Sequence, residues 1–436
     1  MSGYYDTLIV QPNACPAGCK DCVDACEGRG NKNNLGAVIK IVGDVAGKHS
    51  AATCYQCSKP ECMDVCPSDA ITKSDTDGVV RVDMELCTGC EACVDGCPYG
   101  MMLFNNDQQI ATKCDTCDGS PVCEGACPHG VLSFAKSAPV RKYMQDEDLL
   151  SPGVAFCAGC GLELAVRFAL KVLGKDIVLF SSASCSAPVL IGTGDYSLEK
   201  TAFYACLMTN IASSASGYAR YYKKIGKDVT PVCFVGDGNT VDIGFQNLSG
   251  AAERGENIIY ICYDNEGYMN TGYQKSSTTP QGAWTSTTQV GSTGKGKSTP
   301  AKDMPLLMAM HDIPYVATAT LSNLEDFAAK LLKAKEAKKH GLAYLHLYTP
   351  CPTGWKLAPD STIEMCRNAV ESNFFPLWEA ENGNIRFTYE PKEAKPLASF
   401  IKMARKFSHL TDEDIQVLQE QTEKRFARLK KLASDC

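Results

Sequence analysis

The apolar positions change texture near residue 150, and that change divides the chain. Beyond Ser151, helical and extended patterns alternate. Ala165, Phe168, Ala169 and Val172 recur at i, i+3, i+4 and i+7, one face of a helix. Residues 177–180 follow as a short unbroken apolar run, the pattern of a strand covered on both faces. Runs at 229–235 and 257–263 repeat it, with a helix predicted over about 242–254 between them. Ser322 and Glu325 form a capping-box pair ahead of Leu324, Phe327, Ala328 and Leu331, and a further strand is predicted at 342–348. Strands separated by helices predict an α/β domain with a parallel sheet. From about Lys392 the chain reads as helical and basic, closing on KRFARLKK. The expected boundaries are a cysteine-dense domain at 1–138, a polar linker at 139–150, the α/β domain at 151–365 and a helical C-terminal arm at 366–436.

The first 138 residues offer only short apolar runs, such as 79–82 and 101–104, set between cysteines. Sixteen of the 25 cysteines lie there, in four groups: Cys15, Cys19, Cys22 and Cys26; Cys54, Cys57, Cys62 and Cys66; Cys87, Cys90, Cys93 and Cys97; Cys114, Cys117, Cys123 and Cys127. The third reads C-x2-C-x2-C-x3-C-P, the bacterial ferredoxin run that holds a cubane [4Fe–4S] cluster. The second and fourth stretch one gap and keep the final Cys-Pro; the first reads C-x3-C-x2-C-x3-C. Four runs in tandem predict four clusters in a small α+β poly-ferredoxin domain. In two-cluster ferredoxins the fourth cysteine of each run crosses to the other cluster, so four runs imply two such modules; spacing leaves the pairing open. Disulfides would need an oxidising compartment, and the N-terminus lacks the basic and apolar regions of a secretory signal, so a cytoplasmic protein is expected. Zinc sites pair C-x2-C units across longer loops.

Charge and length narrow the picture further. Residues 1–138 carry 18 Asp/Glu against 10 Lys/Arg, a balance of −8 within a total of −7 over 436 residues. An acidic module argues against nucleic-acid binding and suits docking to a basic partner surface. No apolar run is long enough to span a membrane.

Gly236-Asp237-Gly238 sits at the carboxyl end of the run 229–235, and Asp264-Asn265 ends the next predicted strand. Ligands of open α/β sheets bind at the carboxyl ends of strands. Asp237 and Asn265 would converge there, a hard-oxygen pair suited to Mg²⁺ bridging to phosphates, with the glycines admitting a diphosphate. Gly291 to Ser298 fits the phosphate-loop pattern literally, but no strand precedes it, and Pro300 and Pro305 follow where a helix is required. A loop beside the active site is expected instead, with Lys295 or Lys297 as candidate contacts for a coenzyme A phosphate.

The stretch GDGNTVDIGFQNLSGAAERGENIIYICYDNEGYMNTGYQKSSTTPQGAWT resembles the thiamine-diphosphate segment of the β subunits of 2-oxoacid:ferredoxin (acceptor) oxidoreductases. The resemblance implies that Asp237, the Asn265 side chain and the Gly267 carbonyl ligate Mg²⁺, and that Asn270 lies beside the thiazolium as a catalytic residue. It also implies a fifth [4Fe–4S] cluster close to thiamine diphosphate, on Cys157, Cys160, Cys185 and Cys351. Cys206, Cys233, Cys262, Cys366 and Cys436 are left as structural cysteines. Residues 1–138 separately resemble the four-cluster subunits of respiratory and formate-type oxidoreductases. Fused in front of a β subunit, they are similar to phenylglyoxylate dehydrogenase type enzymes, which leaves an aryl 2-oxoacid and pyruvate both open as substrate. The implied reaction is oxidative decarboxylation to acyl-CoA and CO₂. The implied partners are α and γ subunits, a flavin subunit, ferredoxin or a similar acceptor, coenzyme A and the 2-oxoacid. Another subunit supplies the glutamate that activates the aminopyrimidine. The competing expectations are an electron-transfer-only subunit and a non-oxidative thiamine decarboxylase.

Overall fold

The computed structural model describes residues 7–10, 15–16, 18–29, 36–45, 48–57, 60–74, 77–135, 143–145, 147–151, 155–186, 200–292 and 294–434. The chain forms two compact units, Met1–Asp146 and Glu147–Cys436.

The first unit is built from short antiparallel pairs and single helical turns. Thr7–Val10 pairs with Leu132–Ala135, so the two ends of the unit meet in one ribbon. Lys40–Val45 pairs with Lys48–Ala52, Ile71–Lys73 with Val80–Val82, and Leu103–Asn105 with Ile110–Thr112. Two small cores result. One gathers Val38, Ile39, Ala51 and Leu132 about Cys22, Cys26 and Cys123; the other gathers Ile71, Val80, Met102 and Ala111 about Cys93. Cores this thin leave much of the stabilisation to whatever the cysteines bind.

The second unit carries an eight-stranded sheet. In chain order its main elements are α1 (Gly161–Leu173), β1 (Ile177–Ser182), β2 (Ala202–Cys206), α2 (Ile211–Lys224), β3 (Thr230–Gly236), α3 (Phe245–Glu253), β4 (Ile259–Asp264), β5 (Tyr315–Thr320), α4 (Leu324–Ala337), β6 (Ala343–Tyr348), α5 (Thr362–Glu371), β7 (Leu377–Glu381), β8 (Asn384–Tyr389) and α6 (Asp412–Ser434). The spatial order is β2-β1-β3-β4-β6-β5-β7-β8. The first six strands of that order run parallel, and β7–β8 adds antiparallel at the edge. Strands β1, β4, β5 and β6 are buried throughout, which is why β1, β4 and β6 read as largely apolar runs. The α1 face at Ala165, Phe168, Ala169 and Val172 is buried.

Several expectations are corrected. The capping box at Ser322 and Glu325 does not form; α4 begins after Asn323, and the Ser322 hydroxyl donates to the Asn323 side-chain oxygen at 2.7 Å. Residues 366–436 are not wholly helical, because the β7–β8 hairpin extends the main sheet. The end of the expected linker is packed: Leu149 and Leu150 are buried, and Asp148 pairs with Arg167 at 2.6 Å. Among the described residues, no helix is long and apolar enough to cross a membrane.

Candidate functional site

The carboxyl ends of four adjacent parallel strands supply the site. Cys185 follows β1, Asp237 follows β3, Asn265 follows β4 and Cys351 follows β6. The chain after β3 enters a wide π-type turn, Gly238–Ile243, a geometry common at functional sites. Asp237 is buried, and its Oδ2 accepts from the hydroxyls of Ser276 at 2.5 Å and Thr278 at 3.0 Å. The Thr278 hydroxyl also faces Asp264 Oδ1 at 2.9 Å. One hydroxyl hydrogen is thus shared between two buried carboxylates. Burial, reinforced by the charge of Asp264, pushes Asp237 well above the carboxylate range.

A cation relieves that conflict. The Asn265 side-chain amide stands 2.9 Å from the Gly267 carbonyl oxygen and 3.1 Å from Asp237 Oδ1. With its nitrogen there it donates to both. With its oxygen there three oxygens face one another, an arrangement that a divalent cation holds together. The donor set of one carboxylate, one amide oxygen and one backbone carbonyl therefore fits Mg²⁺. Asn270, expected at the reacting end, is exposed.

The glycines act partly through packing. A Cβ on Gly238 would lie 2.5 Å from the Tyr268 ring, whose hydroxyl donates to the Gly238 carbonyl at 2.7 Å. A Cβ on Gly267 would meet the Gln274 carbonyl at 2.8 Å, and one on Gly236 the Tyr263 ring at 3.2 Å. Lys297 is not free to meet a coenzyme A phosphate: it is buried and donates to the carbonyls of Ser277, Thr279 and Pro300.

Sequence reasoning missed a second layer of buried charge. Glu266 pairs with Lys406, whose ammonium lies 3.3 Å from the centroid of the Trp355 ring. Tyr348 donates to Glu266 Oε1 at 3.0 Å, and Trp355 Nε1 donates to the Asn265 carbonyl at 3.0 Å. His346 Nε2 stands 2.9 Å from Asp264 Oδ2. The D-N-E string sets Glu266 beside the site, but nothing local pairs residues 266 and 406.

Cys157, Cys160, Cys185 and Cys351 form one group. Burial pushes the Cys185 thiol up to about 12, helped by Cys351, Cys160, Asp237 and Cys157. Cys351 caps the turn Pro352–Trp355, accepting from Gly354 N at 3.3 Å. In the first unit burial and neighbouring thiols reveal who meets whom. Cys22 is raised by burial and by Cys15, Cys19 and Cys127. Cys62 rises to about 11 through burial, with Cys54, Cys97 and Cys57 adding to it. Cys93 rises to about 11 through burial, Cys87, Cys66 and Cys90. Cys123 rises to about 12 through burial, Cys114, Cys117 and Cys26. The fourth cysteine of each run therefore lies beside another run: Cys97 by Cys54, Cys57 and Cys62, Cys66 by Cys87, Cys90 and Cys93, Cys127 by the first group and Cys26 by the fourth. Crowded, buried thiols of this kind are relieved by deprotonation onto iron. Among the described residues no three His, Cys, Asp or Glu side chains converge on a single-ion site; a cubane seats its thiolates on separate irons. Cys233, Cys262 and Cys366 are buried away from these groups, Cys206 is partly exposed, and Cys436 lies outside the described residues.

A thiamine-type site on a parallel sheet, preceded by a cysteine module, defines a class, and comparison with known proteins agrees. Residues 197–347 match the family "Thiamine pyrophosphate enzyme, C-terminal TPP binding domain", and residues 45–137 match "4Fe-4S dicluster domain". The chain is 41% identical over 430 residues to the β subunit of NADH-dependent phenylglyoxylate dehydrogenase from Aromatoleum evansii, covering 96% of each. It is 48% identical over 276 residues to pyruvate synthase subunit PorB from Methanothermobacter thermautotrophicus, covering 63% of this chain and 95% of that one. Ketoisovalerate oxidoreductase subunit VorB from Pyrococcus abyssi matches at 42% over 295 residues, covering 66% and 94%. The chain belongs to the family of 2-oxoacid oxidoreductase β subunits, with an iron–sulfur module at its N-terminus.

Proposed function

We propose that this chain is the β subunit of a complex that oxidatively decarboxylates an aryl 2-oxoacid to its acyl-CoA and CO₂. The observation that carries the reading is the match over 96% of both chains to a phenylglyoxylate dehydrogenase β subunit, which extends through the cysteine module. Pyruvate is the second reading, favoured by the higher identity, 48%, to the pyruvate synthase subunit over a shorter span.

Asp237, Asn265 and Gly267 hold Mg²⁺, and with it the diphosphate of the cofactor. When bound, thiamine diphosphate supplies an electron sink for the carbon that loses CO₂, and [4Fe–4S] clusters take the electrons singly. Asn270, exposed three residues beyond Gly267, is the candidate for hydrogen-bonding a substrate oxygen. Cys157, Cys160, Cys185 and Cys351 hold a cluster at the same strand ends, close to where electrons are released. The four N-terminal groups hold four more: Cys15/Cys19/Cys22/Cys127, Cys54/Cys57/Cys62/Cys97, Cys87/Cys90/Cys93/Cys66 and Cys114/Cys117/Cys123/Cys26. Partner α and γ subunits complete the thiamine site, and ferredoxin or a flavin subunit receives the electrons. Cytoplasmic residence accords with reduced cysteines.

The test is an anaerobic assay of the purified complex against phenylglyoxylate, pyruvate and branched 2-oxoacids, each with and without CoA, together with metal analysis. CoA-dependent reduction with phenylglyoxylate and about 20 iron per chain are expected. Activity on pyruvate alone would move the substrate to the second reading, and about 16 iron would remove the cluster beside the thiamine site.

A further inference from the structure

The first unit buries two cations among its thiols. Arg29, which ends the helix Asp21–Gly28 carrying Cys22 and Cys26, is 8% exposed. Its Nη1 donates to Cys117 Sγ at 2.8 Å and to Asp115 Oδ1 at 2.7 Å, and its Nη2 reaches Asp115 Oδ2 at 3.3 Å. Asp115 in turn accepts from the Cys117 backbone amide at 3.0 Å. The loop it fixes is strained: Thr116, Cys117 and Asp118 all have φ between 49° and 59°. Left-handed non-glycine residues are strained and persist where surrounding contacts over-determine them. Arg29 is one of those contacts, and the loop aims the thiol at the guanidinium.

Lys113 is a second buried cation of the unit. It is 6% exposed, and its ammonium donates to Gln56 Oε1 at 3.2 Å, to the Cys114 carbonyl at 2.8 Å and to the Val80 carbonyl. These three partners are neutral oxygens. A buried ammonium needs a counter-charge. A thiolate-ligated cluster would supply one: Lys113 lines the cavity shared by Cys54, Cys57, Cys62 and Cys97, and it reaches the Cys114 carbonyl. Lys113 therefore lies between two groups, those of Cys54/Cys57/Cys62/Cys97 and Cys114/Cys117/Cys123/Cys26. The Cys97 thiol, by contrast, accepts from a backbone amide, Met101 N, at 3.4 Å.

We propose that Arg29 and Lys113 raise the reduction potential of the cluster held by Cys114, Cys117, Cys123 and Cys26 above the value it would have without them. The inference rests on the four-cluster reading above. One electron entering such a cluster takes it from the 2+ to the 1+ state and adds one negative charge to its iron and sulfur atoms. Nearby cations and hydrogen bonds to sulfur favour that reduced state. Arg29 places a charged donor on the Cys117 sulfur itself, the stronger class of hydrogen bond. Arg29 acts on one cluster, whereas Lys113 acts on two.

The test is a spectroelectrochemical titration of the intact complex, followed by EPR, for the wild type and for Arg29→Gln, Arg29→Lys and Lys113→Met. Arg29→Gln should lower the midpoint of a single component by at least about 59 mV, a tenfold change in a one-electron equilibrium constant, with iron content unchanged. Lys113→Met should lower two components together, and Arg29→Lys should fall between Arg29→Gln and wild type. Unmoved midpoints, or equal movement of every component, would overturn the proposal. So would loss of one cluster in both Arg29 variants, which would make the residue an assembly determinant. A wild-type complex that lacks four N-terminal clusters by iron count would instead sink the cluster reading, and the two failures are therefore distinct.

Discussion

At the scale of single residues, the site is a set of buried charges that the bare chain leaves in conflict. Asp237 shares a hydroxyl hydrogen with Asp264 and lies deep in the protein. A divalent cation turns that conflict into a binding site, so removing the carboxylate should remove the cation. Asp237→Ala is expected to weaken Mg²⁺-dependent thiamine diphosphate binding by at least 100-fold, since a change one shell further out already costs about 10–100-fold. Calorimetry on the complex measures this, with the iron content as control. The Glu266–Lys406 pair makes a second prediction. Breaking a buried pair from one side costs about 3–5 kcal/mol, while replacing both partners is often neutral. Lys406→Met should lower the unfolding midpoint markedly, and Lys406→Met with Glu266→Gln should recover most of it. Recovery in the double variant is the decisive reading, because simple loss of packing around Trp355 would persist there. Asp237 and Asn265 were legible because Gly-Asp-Gly and Asp-Asn sit where apolar runs end. Lys406 was not, because its partner lies 140 positions away.

At the scale of elements, fully buried strands announced themselves and edge elements did not. β3, β4 and β6 are uninterrupted apolar runs, and their ends fall within a residue or two of the predicted ones. β5 reads YVATAT, and its threonines hid a strand that is buried throughout; Thr318 Oγ1 finds the Pro376 carbonyl at 2.8 Å. The β7–β8 hairpin was taken into a helical arm because Trp378, Glu379 and Arg386 follow no clean alternation. Glu379 explains why a carboxylate tolerates that position. It is 2% exposed and receives Lys333 at 2.6 Å, Tyr315 at 2.6 Å and Arg386 at 2.8 Å. Burial opposes its charge, but these donors outweigh burial and hold the carboxyl below the usual range. A depressed value adds stability that is present above the unfolded pKa and fades as pH falls through the folded one. The hairpin should therefore loosen below about pH 4.5. Glu379→Gln should flatten that acid limb and lower stability at neutral pH, as read by hydrogen exchange in β7.

At the scale of the whole molecule, the proposed thiamine site and the cysteine-rich module fall in different units. The ribbon of Thr7–Val10 with Leu132–Ala135 closes the first unit on itself, and Cys127 beside the first cysteine group with Cys26 beside the fourth joins the same two ends again. The second unit holds Asp237, Asn265, Gly267 and the four cysteines from Cys157 to Cys351. Relatives bear on its independence: the pyruvate synthase subunit of Methanothermobacter thermautotrophicus matches 63% of this chain over 95% of its own length. A chain of that size is close to the second unit alone. Deleting residues 1–146 should then leave a chain that still assembles with its partner subunits and binds thiamine diphosphate. In a single turnover the shortened complex should decarboxylate its 2-oxoacid and reduce one cluster. Steady-state transfer to ferredoxin should collapse, because the remaining clusters are gone. Assembly is checked first by size-exclusion chromatography, since the acidic module is also a candidate docking surface. An assembled shortened complex that reduced ferredoxin at the full rate would show that electrons leave by another route, and the N-terminal module would then have to be explained as something other than a wire.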